Sequence, residues 1–330
     1  MKRLRVGIIG VGKLGGFHCN VLSQMPDIDL VGIVDVDINI AEQAAKSYHC
    51  RAFDTVGDLL NEVDAVGVIV PTIDHFDIAS QAIKAGKAVF IEKPIASTIQ
   101  EAKDLVDLAR QHKVLLQVGH IERFNPAIMA LEGYDLAPMF IESHRLAPFD
   151  PRGTDVAVVL DLMIHDIDIV LSLVDSNVRR IDANGVAVVS DQIDIANARI
   201  QFENGCVANV TASRISQKKM RKMRLFQRDS YVSVDFLQKN TELFKIQNQE
   251  SSDAPSTVIL GQIEKGSQKR HIIYERPTIP EENAMQTEWK YFKDAIENHK
   301  EPFVSGQDGL RALEVAVQIT QSISDHSFPK

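Results

Sequence analysis

At 330 residues the chain is long enough for two domains, each with its own core, and its 45% apolar and 25% charged residues are those of an ordinary globular protein. A net charge of −9 leaves no basic footprint for general nucleic-acid binding, and no apolar run approaches the length of a membrane span. Met1-Lys2-Arg3 runs straight into a strand without room for a signal peptide, and Cys19, Cys50 and Cys206 form no Cys-x-x-Cys pair, so a cytosolic protein with buried free thiols is expected.

Leu4 to Ile9 is a β-branched apolar run that breaks into Gly10-Val11-Gly12-Lys13-Leu14-Gly15, then a helical pattern, then Leu30 to Asp35. The order strand, glycine loop, helix, strand suits a dinucleotide. Gly10 permits the turn, Gly12 lets a pyrophosphate approach the backbone, and Gly15 lets the helix pack on the strand. Asp35, 20 residues past Gly15, can accept hydrogen bonds from an adenosine ribose. Its charge repels a 2′-phosphate, which argues for NAD over NADP.

A helix through Ala41 to Lys46 and a short strand at Arg51 to Phe53 follow, then a buried strand from Asp64 to Val70 that Pro71-Thr72 stops. His75 to Ala85 reads as a helix, Ala88 to Ile91 as a buried strand ending in Glu92-Lys93-Pro94, Thr98 to His112 as a helix and Val114 to Val118 as a strand. Such alternation predicts a doubly wound parallel sheet with its ligand beyond the carboxyl ends of the strands, where Gly10, Asp35, Pro71, Lys93 and Gly119 all fall. Beyond Pro126, alternating segments at Ile195 to Ile200, Cys206 to Thr211 and Tyr231 to Asp235 predict antiparallel strands, with Glu203-Asn204-Gly205 as a hairpin turn and one strong helix from Val159 to Val174. Gln247 to Pro255 reads as an exposed loop or hairpin end, and Ala284 to Asn298 and Gly306 to Ile323 as helices. The expected architecture is α/β: a Rossmann domain over residues 1–122 and an α+β domain with a large, mostly antiparallel sheet over 123–330.

Lys93 ends a buried strand with a proline behind it, so its ammonium either meets a reacting hydroxyl near the nicotinamide or pairs with Glu92. Asp161 and His165, four apart on the expected helix, share a face with Asp168, so a carboxylate can orient the imidazole as a general base. A metal site there is the weaker alternative, because no His-x-x-x-His pair is present, and acid-rich helix capping around a core histidine is the bland one. Arg123 can hold an anion and Asn125 a nicotinamide amide or sugar hydroxyl, unless the two serve a domain-junction turn. His75 is expected to pack on or bond to the cofactor ribose. Arg145, Arg152 and Arg214 read by default as solvated cations, and Lys218 to Arg224 as a solvated strand face or a charge-protected sheet edge.

As a set these residues resemble the Gfo/Idh/MocA oxidoreductase family, over nearly the whole chain. Glu92-Lys93-Pro94 is the most specific feature, joined by the glycine loop, Pro71-Thr72 with His75, and the Asp161-x-x-x-His165 pair. The resemblance implies an NAD-dependent enzyme in which Gly10, Gly12, Lys13, Leu14, Gly15, Asp35, Pro71, Thr72, His75, Glu92 and Lys93 hold the cofactor. Lys93 contacts the reacting hydroxyl while Asp161 and His165 complete the acid–base site. It also implies homodimers or homotetramers built through the exposed sheet face. Gly119 to Pro126 is similar to the stretch in bacterial UDP-N-acetylglucosamine 3-dehydrogenases, which implies oxidation at C3 of a nucleotide sugar, with Arg123, Arg145 and Arg152 as candidates for its phosphates. An uncharged polyol such as myo-inositol stays open as substrate, as does a non-catalytic NAD-binding regulator. The family's glycine turn between two late strands is replaced here by Arg228-Asp229-Ser230.

Overall fold

The computed structural model describes residues 3–150, 156–247, 257–265 and 268–325. It opens with β1 (Leu4–Ile9), α1 (Lys13–Leu22), β2 (Ile28–Val34), α2 (Ile38–Tyr48), β3 (Arg51–Ala52), α3 (Val56–Leu60), β4 (Ala65–Val68), α4 (His75–Lys84), β5 (Ala88–Glu92), α5 (Ile99–His112) and β6 (Leu116–Gly119). All pairings in this sheet are parallel, in the order β3-β2-β1-β4-β5-β6. All four residues of β4 are buried, as a strand covered on both faces requires. The strand order reverses between β1 and β4, and in such sheets the crevice at that switch point takes the ligand. Local chemistry starts the helices: Thr98 and Glu101 form a capping box at the predicted start of α5, and Asp37 and Thr55 cap α2 and α3. The five-residue α3 falls in a stretch to which the sequence pattern assigns no element, being too short to show periodicity.

The next elements are α6 (Pro126–Met129), β7 (Phe140–Leu146), a π-helical turn (Val159–Met163), α7 (Ile164–Leu173), β8 (Val178–Val186), β9 (Ile195–Phe202), β10 (Val207–Ser213), β11 (Met220–Gln227), β12 (Ser230–Asp235), β13 (Asn240–Gln247), β14 (Thr257–Lys265) and β15 (Gln268–Glu275), followed by α8 (Ala284–Glu297) and α9 (Gly306–Asp325). Among the described residues β7 to β15 make a nine-stranded sheet, ordered β14-β15-β13-β12-β11-β7-β10-β9-β8, in which only β7 and β10 pair in parallel. The expected turn at Glu203 to Gly205 joins β9 to β10, with Gly205 at φ +89°. At the departure from the family pattern, Asp229 takes the left-handed conformation at φ +60°, which an aspartate tolerates, and its carboxylate bonds Arg270 at 2.8 Å.

Three expectations change. The basic run at Lys218 to Arg224 leads into β11, which lies between β12 and β7 and is no sheet edge. Its Lys222 and Arg224 are exposed while Met223 and Leu225 are buried, so the solvated-face alternative describes it. The helix expected from Val159 opens instead as a π turn. Finally, the chain divides into Met1–Phe124 with Glu282–Glu314 and Asn125–Glu281 with Val315–Lys330, so α8 and the start of α9 belong to the first unit and a single cut near 122 does not describe the domains. The reason is packing: Trp289 of α8 stacks on Phe90 with ring centroids 4.6 Å apart, and Phe292 meets both rings edge-on. Residues 248–255 of the expected loop lie outside the described residues.

Candidate active site

In the first unit the glycine loop, β2 and β4 enclose a cleft of about 700 Å³. Gly10, Gly12, Lys13, Leu14, Gly15, Asp35 and Pro71 all line it, as the sequence predicts. Gly10 has φ +88°, and a Cβ on Gly15 would lie 2.0 Å from the Gly10 carbonyl oxygen, so any side chain there would push α1 off the loop. A Cβ on Gly12 would meet no protein atom within 4 Å: that backbone is kept bare toward open space, as a pyrophosphate requires. Asp35 accepts the Val11 N–H at 2.8 Å and the Asp37 N–H at 3.1 Å, which ties the end of β2 to the loop and orients the carboxylate. Asp54, Asp74 and Asp77 line the same cleft and add negative charge. These residues fit a dinucleotide.

The second feature is the turn after β5, where Lys93 is half-buried and followed by a cis peptide bond to Pro94. The Glu92 carboxylate accepts the backbone N–H of Lys93 at 3.1 Å and bonds His18 at 3.0 Å. His75, expected at the ribose, is buried with one ring nitrogen 2.9 Å from the Pro94 carbonyl and the other 3.0 Å from that of Val70. It ties two loops together and does not line the cleft. Burial lowers its pKa against the opposing pull of the Pro94 and Val70 carbonyls. Thr72 opens a short 3-10 turn and accepts the His75 N–H, and likewise is not among the lining residues. His120, not singled out in the sequence, is almost fully buried beyond β6. Burial first, then the charges of Lys93 and Arg123, push its pKa down to about 3, so a neutral imidazole stands near both cations. Arg123 donates to the Phe303 carbonyl at 3.3 Å and lies over that ring.

In the second unit, Asp161 lies in the π turn and His165 in the first turn of α7, both half-buried. The wider turn alters the simple i,i+4 relation between them, and such bulges often mark functional sites. Among the described residues no cluster of three or more His, Cys, Asp or Glu side chains is arranged to hold a metal. Arg145 corrects two expectations at once: it is neither a solvated cation nor open to a substrate phosphate. At 2% exposed it bonds Asp166 at 2.6 and 3.2 Å, and Ser143 joins the same carboxylate. Arg214, also buried, bonds Asp194 at 2.9 Å and the carbonyls of Val156 and Ile193. Burial alone would raise the Asp194 carboxyl, but the N–H groups of Val189 and Val188 and the hydroxyl and N–H of Ser190 hold it far below the usual range. Asn125 serves the junction turn, its oxygen accepting the Ala127 N–H and its nitrogen donating to the Phe236 carbonyl. Arg152 lies outside the described residues.

A parallel doubly wound sheet with a bare glycine loop facing an acidic strand end defines a dinucleotide-binding fold. Residues 4–120 match the family model described as oxidoreductase family, NAD-binding Rossmann fold, and residues 140–229 match the Gfo/Idh/MocA C-terminal domain. The chain belongs to the Gfo/Idh/MocA oxidoreductase family. It is 37% identical to UDP-N-acetylglucosamine 3-dehydrogenase of Acidithiobacillus ferrooxidans, over 98% of both chains. The solved structure of that enzyme superposes with a TM-score of 0.87, covering 98% of this chain and 99% of the other. A scyllo-inositol 2-dehydrogenase (NAD(+)) of Bacillus subtilis is 27% identical, over 65% of this chain and 68% of its own. Scyllo-inositol dehydrogenase from Lactobacillus casei, solved with NAD(H) and scyllo-inositol, shares the fold at a TM-score of 0.77 and 20% identity, covering 99% of this chain and 98% of the other.

Proposed function

We propose that this protein oxidises a secondary hydroxyl of a nucleotide-activated amino sugar to a ketone, at C3 of a UDP-N-acetylglucosamine type of substrate, using NAD. The observation that carries the substrate is the likeness to a UDP-N-acetylglucosamine 3-dehydrogenase at 37% identity over 98% of the chain, against 27% over 65% for the inositol enzyme. Preference for NAD over NADP is supported by the cleft itself, where Asp35, Asp54, Asp74 and Asp77 oppose a 2′-phosphate. NAD supplies the hydride acceptor when bound. In this reading Lys93 holds the substrate hydroxyl from the turn after β5. His165, with Asp161, receives the hydroxyl proton, and Arg123, which donates to the Phe303 carbonyl, is assigned to an anionic group of the substrate.

Self-association belongs to the same reading. One face of the nine-stranded sheet carries a row of partly exposed rings, Phe140, Phe226, Tyr231, Phe244 and Tyr274, with successive centroids 5.0 to 5.7 Å apart. We assign this face to a homodimer or homotetramer contact. No described helix is long and apolar enough to cross a membrane, and Cys19, Cys50 and Cys206 are free thiols, which supports a cytosolic setting.

The test is the rise of NADH absorbance when the protein is mixed with NAD and UDP-N-acetylglucosamine, beside free N-acetylglucosamine and myo-inositol. A rise with the nucleotide sugar alone is expected. A rise with myo-inositol alone would overturn the substrate, and silence with all three in protein free of bound NADH would favour the non-catalytic regulator.

A further inference from the structure

The turn that carries Lys93 is gripped by buried polar groups that the proposed reaction does not use. The Trp289 indole N–H points at His18 Nδ1 from 2.9 Å. An indole nitrogen only donates, so Nδ1 must accept and a neutral ring keeps its proton on Nε2. That nitrogen faces Glu92 Oε1 at 3.0 Å, and Glu92 Oε2 accepts the backbone N–H of Lys93 at 3.1 Å. The bonds therefore converge on Glu92, with Trp289 donating to His18, His18 to Oε1 and the Lys93 amide to Oε2.

Its surroundings are built to hold it. Trp289 and His18 are completely buried, and Glu92 is 7% exposed. Phe90 stacks on Trp289 and meets the His18 ring edge-on at 5.4 Å. Gly119 lies opposite Glu92 in the β5–β6 register, and a Cβ there would sit 3.0 Å from the Glu92 carboxyl, so the strand leaves just the space that the carboxylate fills. On the far side of the turn, His75 reaches the Pro94 carbonyl at 2.9 Å. An apolar core at α1, β5 and α8 would be served by leucine and phenylalanine. Burying an imidazole between Phe90 and Trp289, and a carboxylate beside it, costs free energy unless their bonds are made, and the carboxylate's bonds include one backbone amide, that of Lys93.

We propose that Trp289, His18 and Glu92 are positioning residues which fix the backbone of Lys93, with His75 holding the next carbonyl. The inference rests on the reading of Lys93 as the group that meets the substrate hydroxyl. A reacting group displaced by about 1 Å can lose about 100-fold in rate, which is the benefit such a clamp secures.

The experiment uses the full chain and the variants Trp289→Phe, His18→Ala and His18→Gln, with Lys93→Ala alongside. Two quantities are read: hydrogen exchange of the Lys93 amide without substrate, and kcat and KM with NAD and UDP-N-acetylglucosamine. Trp289→Phe keeps the stacked ring and removes only the donor. Faster exchange at Lys93 is expected in Trp289→Phe and His18→Ala, with kcat lowered about 10- to 100-fold and KM for NAD unchanged, because the glycine cleft is not altered. His18→Gln, whose amide nitrogen can replace Nε2, should recover most of the loss. Unchanged Lys93 exchange in His18→Ala overturns the clamp, as does an equal loss in His18→Gln, which would mark a packing effect. Turnover retained in Lys93→Ala would instead overturn the role of Lys93, and amide exchange would still judge the clamp.

Discussion

His120 shows how far burial can move a single group. Its imidazole is held neutral by burial and by the charges of Lys93 and Arg123, with a pKa of about 3 against 6.5 for a free ring. The unfolded chain therefore binds a proton that the folded chain refuses, and stability that is complete above pH 6.5 falls as the pH drops toward 3. His75, lowered chiefly by burial, acts with the same sign. Denaturant titrations at pH 7.5 and 4.5 should show a smaller loss on acidification in His120→Asn than in the parent protein; equal losses would remove His120 from this account. Asp35 carries a prediction on specificity. On the proposed reading of Asp35 as the ribose acceptor, losing that charge should weaken NAD by about 1.5–3 kcal/mol, roughly 10- to 100-fold, so Asp35→Ser should raise KM for NAD and favour NADP relative to NAD. Asp35 was legible in the sequence because its distance from the glycines is set along the chain. His18 and Trp289, 271 residues apart, were not.

At the scale of an element, the π turn at Val159–Met163 and the helix behind it rest on charges that are not solvated. The Arg145–Asp166 pair joins β7 to α7, and the Arg214–Asp194 pair holds the Val156 carbonyl just before the turn. Removing one partner strands a buried charge, so Asp166→Ala should cost about 3–5 kcal/mol in denaturant unfolding. The double variant Arg145→Met with Asp166→Leu should recover most of that loss. A double variant as unstable as the single would mean that packing, and not the stranded charge, sets the cost. Gly15→Ala tests the other end of the molecule's logic: with the Gly10 oxygen 2.0 Å from the new Cβ, a loss of about 1–3 kcal/mol is expected together with weaker NAD binding. Both arginines read as surface cations in the sequence, since nothing in their neighbours along the chain announces a partner 20 or more residues away.

For the whole molecule, the aromatic row across β7, β11, β12, β13 and β15 is where association is to be tested. Phe226, within the row, is 36% exposed, and a glutamate there would have to be desolvated in any face-to-face contact. Phe226→Glu should shift the species seen in sedimentation velocity to the monomer with the fold intact by circular dichroism; an unchanged oligomer would assign the contact to another surface. The row itself was not visible beforehand, because each ring comes from a different strand.

Features whose physics is local could be read from the chain alone. The glycine loop with Asp35, the apolar runs of β4 and β5, the capping threonine of α5 and the glycine turn before β10 all depend on residues a few places apart, and each lies where its spacing requires. The place of Lys93 at the end of β5 was likewise local, and family likeness added the expected contact with a reacting hydroxyl. What only the tertiary structure decided involves pairs distant in sequence and groups removed from water. It returned α8 to the first unit through Trp289 on Phe90, buried Arg145 and Arg214 in ion pairs, opened a π turn at Asp161, and brought His18, Glu92 and His75 around the Lys93 turn. An amphipathic pattern states that a helix has an apolar side, but which sheet receives it is settled by the shape and burial that all the segments reach together.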